Sequence, residues 1–191
     1  SPNTGTRVPE AMVMPNPGVH AILSSANDIT ISIRGLKIDM SNAVADNRYV
    51  QVINRTGNTL NIEHTIFTNA KSCINGNWYI SGSTTGFNLS LLDNLHANSG
   101  VSNGIALFSG NVHTVNIQEN VWKDNSGWAM NFNNVHGAIL GNTIKNTSIT
   151  GPNWYDDQAG IIIASVNNNV TIAHNTFEML SASALNFYTA A

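Results

Sequence analysis

"AILGNTIKNT", residues 138–147, sets an Asn between two short apolar runs, with a second Asn four positions on. The stretches "VNIQENVWKDN" (115–125) and "VTIAHNTFEML" (170–180) repeat the plan. Aligned as apolar-x-x-Asn-x-apolar, three copies fit well: Ile117, Asn120 and Trp122; Ile139, Asn142 and Ile144; Ile172, Asn175 and Phe177. Leu91, Asn94 and His96 fit weakly. Ile33, Leu36 and Ile38, and Ile62, Thr65 and Phe67, are degenerate copies. The anchors fall at 36, 65, 94, 120, 142 and 175, spaced by 29, 29, 26, 22 and 33 residues. Such a quasi-period is the mark of stacked repeats whose loops vary in length.

A second column lies four residues after the first, at Asn69, Asn98, Asp124 and Asn146. A further apolar run completes each repeat: "YVQVI" (49–53), "WYIS" (78–81), "IALF" (105–108), "AMNF" (129–132), "GIIIA" (160–164) and "LNFY" (185–188). These segments are too short and too rich in β-branched and aromatic residues for helices. Two or three strands per repeat predict a parallel β-solenoid, all-β, of about six to seven coils. A β-sandwich is the competing all-β architecture, and the constant register of the Asn columns disfavours it.

The physical chemistry is consistent with that expectation. An Asn tolerates the left-handed backbone angles of a tight bend. Coils about 4.8 Å apart would let stacked amides bond along the column. Like charges would also stack, and only 10% of residues are charged against roughly 25% in ordinary domains. About 30 Asn, with Ser, Thr and Gly, fill the polar positions. The net charge of −3 gives no electrostatic footprint for nucleic acid or an anionic membrane. Cys73 is the sole cysteine, so no intrachain disulfide forms. No signal peptide, transmembrane run or lipidation motif is visible. Residues 1–17 are expected to be an extension or cap and 18–191 the β-helix domain. The chain ends inside an apolar run, which predicts a fragment of a longer protein.

With "NIQENVW", "AILGNTI" and "TIAHNTF" each completed by an apolar run, the chain resembles the right-handed parallel β-helix proteins of the pectin-lyase-like group over nearly its whole length. That resemblance implies a polysaccharide-binding and polysaccharide-degrading protein, a glycoside hydrolase or lyase of the phage-tailspike or secreted type. It implies an extracellular or virion-surface location and homotrimer formation as an option. The alternative from a different class is a non-catalytic segment of a fibre, tailspike or adhesin. An ice-binding face would call for regular Thr arrays on one side, and none is evident.

Polysaccharide chemistry asks for ring faces, hydroxyl-binding polar groups and carboxylates. The loops leading into the third run carry three of the four Trp, namely Trp78, Trp128 and Trp154, together with Tyr155. They also carry Asp46 and Arg48, Asp124 and the pair Asp156 and Asp157. The insertion "TSITGPNWYDDQAG" (147–160) belongs to this edge, and long loops on a rigid scaffold are where function concentrates. In the hydrolase version Asp157, Asp156 and Asp124 supply acid and base or nucleophile. Arg48 holds an anionic sugar, and Trp78, Trp128, Trp154 and Tyr155 stack on rings. The acid pair resembles that of polygalacturonase-type hydrolases, but the Asn-Thr-Asp, Gly-His-Gly and Arg-Ile-Lys segments of that type are missing.

A second candidate is the column just before the Asn ladder: His64, Asp93, Glu119, Gly141 and His174. Asp93 and Glu119 on adjacent coils would stand about 5 Å apart, near the spacing of a retaining glycosidase pair. The same two acids would suit Ca²⁺ or a shared proton, and the column equally suits plain turn residues. No cofactor is otherwise implied. His113 and His136 both follow Asn-Val but sit one place out of register, which disfavours a metal site.

Overall fold

In the computed structural model, residues 11–71, 77–99, 104–145, 159–165, 167–178, 180 and 183–188 are described. Among them there is no helix, and every strand pairing is parallel. The first sheet stacks Ala11–Val13, Leu36–Asp39, Ile66–Thr68, Leu95–Ala97, Val121–Lys123, Thr143–Lys145 and Thr176–Glu178. The second stacks Ile22–Ser24, Val50–Ile53, Trp78–Ser81, Ile105–Leu107, Met130–Asn133, Ala159–Ala164 and Ser183–Tyr188. The third stacks Thr30–Arg34, Thr59–Glu63, Asn88–Leu92, His113–Gln118, Val135–Leu140 and Asn169–Ala173. The chain visits the third, first and second sheets in turn and then climbs one level. Six strands in the third sheet span five steps, so the solenoid makes about five turns, against the six to seven coils expected. The outermost runs contribute strands without completing a circuit.

The sequence columns become physical stacks. Ile38, Phe67, His96, Trp122, Ile144 and Phe177 are successive partners on the inner face of the first sheet. Phe67 lies on His96 with centroids 4.9 Å apart and planes 9° apart. His96 lies on Trp122 at 4.5 Å and 3°. Ile62, Leu91, Ile117 and Ile139 form a matching buried column in the third sheet. Each stacked aromatic pair adds about 0.5–1.5 kcal/mol beyond its area burial.

The Asn ladder runs where the chain turns from the third sheet to the first. Asn142 Oδ1 accepts from Asn120 N at 2.9 Å and from Asn120 Nδ2 at 3.0 Å. Asn120 Oδ1 does the same for Asn94 N and Nδ2, both at 2.9 Å. Asn175 Oδ1 accepts from Asn142, and Asn94 Oδ1 caps Thr65 N. Each Nδ2 also donates to a backbone carbonyl of the preceding coil, Asn120 to Leu91 O at 3.0 Å and Asn142 to Ile117 O at 2.9 Å. Buried backbone groups at the bend are thereby paired.

The left-handed twist at this bend falls to a different residue. It is taken by the one before each ladder position: Gly35, His64, Asp93, Glu119, Gly141 and His174 all have φ between 49° and 69°. The expectation that the ladder Asn itself adopts αL is corrected here. An Asn whose amide must face inward and bond two coils is better served by the residue before it making the turn. In the second column Asn69, Asn98 and Asp124 do adopt αL, with φ of 62°, 53° and 55°. Asn146 lies outside the described residues.

On the outer face of the third sheet three ranks run the length of the solenoid. One is Thr30, Thr59, Asn88, Thr114, His136 and Asn169. The second is Ser32, Asn61, Ser90, Asn116, Ala138 and Thr171, and the third is Arg34, Glu63, Leu92, Gln118, Leu140 and Ala173.

Candidate functional site

Strand alternation decides which aromatic rings meet solvent. In "WYIS" Trp78 and Ile80 are fully buried, so Tyr79 between them points outward. Trp78 instead packs edge-on to Phe67 at 5.0 Å and tilted over His96 at 5.6 Å. The expectation that Trp78 stacks on a sugar is therefore corrected: its ring belongs to the core, with its indole Nε1 lacking a hydrogen-bond partner. Parity was available in the sequence, because Trp78 and Ile80 share a face and both are large and apolar.

Outside the second sheet a row of side chains crosses the coils. The Arg48 guanidinium carbon sits 4.7 Å from the centre of the Tyr79 ring, a cation–π arrangement. Arg48 Nη1 donates to Gln51 Oε1 at 3.2 Å, and Gln51 and Tyr79 are direct strand partners. Tyr79 meets Phe108 edge-on, centroids 6.4 Å apart, and Phe108 meets Trp128 edge-on at 6.4 Å. Tyr79 and Phe108 are half-buried, whereas Trp128 is 6% exposed and packs with Ala106, Ala159 and Ile162. Asn131 stands on the same outer face between Ala106 and Ile162, buried, and its side-chain carbonyl oxygen has no hydrogen-bond partner. Beside the row, the Arg48 backbone N–H donates to His20 Nδ1 at 3.1 Å. Burial, and then the Arg48 charge, lower the His20 pKa, which keeps that ring a neutral acceptor.

Arg48 and Trp128 belong to one outer cluster, joined by Tyr79 and Phe108, which the sequence reading passed over. Trp128 is buried in it and presents no open ring face. Asp124 is exposed at the αL position of the bend between the first and second sheets, where its N–H donates to Lys145 O at 3.3 Å. Asp156, Asp157, Trp154 and Tyr155 lie outside the described residues.

The second candidate column occupies the αL positions of the first bend. His64 and Asp93 are half-buried and bonded, Nδ1 to Oδ2, at 2.9 Å across one coil step. Glu119 is exposed on the next coil. Among the described residues no group of three or more His, Cys, Asp or Glu is placed to hold a metal ion. His113 and His136 are out of register as expected: His113 pairs with Val135 and is buried, while His136 pairs with Thr114 and is exposed.

Two imidazoles are sunk in the core. Burial pushes His96 down to about 3 and His113 down to about 4. Neither His113 nitrogen has a hydrogen-bond partner, nor does His96 Nε2. Both rings act as flat apolar fillers, His113 against Phe87 and His96 between Phe67 and Trp122.

No family model, curated protein or solved structure matches this chain, so the parallel β-solenoid rests on its own strand pairing.

Proposed function

We propose that the solenoid binds polysaccharide across the outer face of its second sheet. The observation that carries this is the row of Arg48, Tyr79 and Phe108, which offers half-buried ring surface beside a cation and the Gln51 amide. Sugar C–H faces stack on rings, and a guanidinium fork pairs with a uronate carboxylate. Cleavage of the bound chain, by hydrolysis or elimination, is the activity proposed with it. Asp157, Asp156 and Asp124 are the carboxylates proposed to take part, and Trp154 and Tyr155 would extend the ring surface. An extracellular or virion-surface setting and a homotrimeric assembly go with this reading.

Calorimetry against neutral and uronate-containing polysaccharides tests the binding. Tyr79→Ala and Phe108→Ala should each weaken binding about tenfold, the equivalent of a stacking contact of about 1.4 kcal/mol. Affinity that is unchanged in both variants would overturn the assignment. Turnover of a bound polysaccharide that persists in Asp157→Asn and Asp124→Asn would remove those acids from the chemistry. The non-catalytic reading has one observation in its favour. Asp93, half of the stacked acid pair, is held by His64, a cross-coil contact that a structural bend explains. Binding without any release of reducing ends or unsaturated products would select it.

A further inference from the structure

Of the three outer ranks of the third sheet, the first two contain no Asp, Glu, Lys or Arg; the third carries Arg34 and Glu63 on its first two coils, 4.0 Å apart, and then the uncharged Leu92, Gln118, Leu140 and Ala173. The outer face of the first sheet, built on the same coils, carries Lys37, Asp39, Lys123, Lys145 and Glu178. Avoidance of stacked like charges does not by itself explain the two neutral ranks, because Lys123 and Lys145 are direct register partners one sheet away. The ranks are also open. Thr30, Ser32, Asn88, Thr114, Asn116 and Thr171 are all exposed.

Register makes the face a grid. Side chains repeat about every 4.8 Å from coil to coil and about 6.7 Å from one rank to the other. Every Thr, Ser and Asn in the grid both donates and accepts hydrogen bonds. Their orientations are restrained: Asn61 Nδ2 donates to Ser32 Oγ and Asn88 Nδ2 to Thr59 Oγ1, each at 3.4 Å across one coil. Thr is stiff about χ1 as well. A bound solute would need only a few such groups. A repeating, uncharged, donor-and-acceptor grid suits a ligand that is itself a lattice of groups that donate and accept at similar repeats, as water oxygens do on the faces of ice. Ion-bearing side chains would order water radially and break that match.

We propose that the two neutral ranks on the outer face of the third sheet bind ice. This site is separate from the Arg48–Tyr79–Phe108 row and does not depend on polysaccharide binding. The test uses the full chain at low concentration with a slowly growing ice surface, reading the fraction incorporated together with thermal hysteresis. Wild type should enter the ice and show hysteresis. Thr114→Tyr and Asn116→Tyr place bulk at exposed positions and should lose both effects while keeping the wild-type circular dichroism. If either fails to fold, Thr171→Tyr provides the same reading. Lys145→Tyr, on the first sheet, and Tyr79→Ala, on the second, should incorporate as wild type does. Exclusion of wild type from ice, or full incorporation of the face variants, overturns the proposal. So does a loss of polysaccharide affinity in Thr114→Tyr, which would make the face a glycan surface. Loss of polysaccharide affinity in Tyr79→Ala alone bears only on the second-sheet site.

Discussion

At each first bend two neighbouring residues divide the work. Glu119 carries the left-handed twist, with φ 56°, and Asn120 carries the hydrogen bonds. Asn120→Ala would leave Asn94 N and the Leu91 and Gln118 carbonyls short of their side-chain partner. Unsatisfied buried groups cost about 1–3 kcal/mol each, so a loss of roughly 2–4 kcal/mol is expected, read from urea unfolding midpoints. Glu119→Gly acts in the opposite direction. An L-residue in αL costs about 1–2 kcal/mol, and the unfolded-state entropy of Gly returns only about 0.5–1 of that, so a gain of up to about 1 kcal/mol is expected. Gly35 and Gly141 already occupy that place on other coils. The ladder was legible in "AILGNTIKNT" because its spacing repeats. The αL column was not, because Gly, His, Asp and Glu share no side-chain chemistry, only a backbone angle.

Among the elements, two buried imidazoles decide the pH response, His96 on the first sheet and His113 on the third. His96 and His113 are held neutral by burial, near 3 and 4, while each titrates at about 6.5 once unfolded. The unfolded chain therefore binds more protons below pH 6.5, and their contribution to stability is fully present above that value. It falls as pH drops, by at most about 1.4 kcal/mol per pH unit for each ring, until the folded-state values are reached. Unfolding free energies measured from pH 7 to 4.5 should show this decline. His96→Phe keeps a flat ring between Phe67 and Trp122 and should flatten the slope by about half. A slope unchanged in His96→Phe would show that the ring titrates alike in both states. The apolar-x-x-Asn-x-apolar frame placed His96 at an apolar position, and its burial bears that out. Strand parity is where the site expectation went astray: Trp78 and Tyr79 are adjacent, and a one-residue difference in facing exchanges core for surface.

Across the whole molecule, stability is a sum of coil-to-coil contacts. Val115, Ile117 and Trp122 are fully buried, but Val170, Ile172 and Phe177, their counterparts two coils on, are only half-buried. Amide exchange should accordingly be slowest in His113–Gln118 and Val121–Lys123 and markedly faster in Asn169–Ala173 and Thr176–Glu178. Equal protection along the axis would indicate one global unfolding unit instead. The neutral grid is also a property of this scale. Its first rank lies six residues before each ladder position and its second four before, at the same spacings of 29, 29, 26, 22 and 33. A search for Thr alone missed it, since Thr, Asn and Ser alternate there with His136 and Ala138.

By itself the sequence determined the repeat, the parallel solenoid and the identity of the ladder. These follow from local periodicity and from the need to pair buried amides at every bend. Only the tertiary structure decided which residue takes the twist, that Trp78 faces inward while Tyr79 meets Arg48, and that scattered Thr, Asn and Ser align into two uncharged ranks. Those outcomes depend on facing and on register between coils 22 to 33 residues apart, where loop insertions hide the alignment until the strands pair.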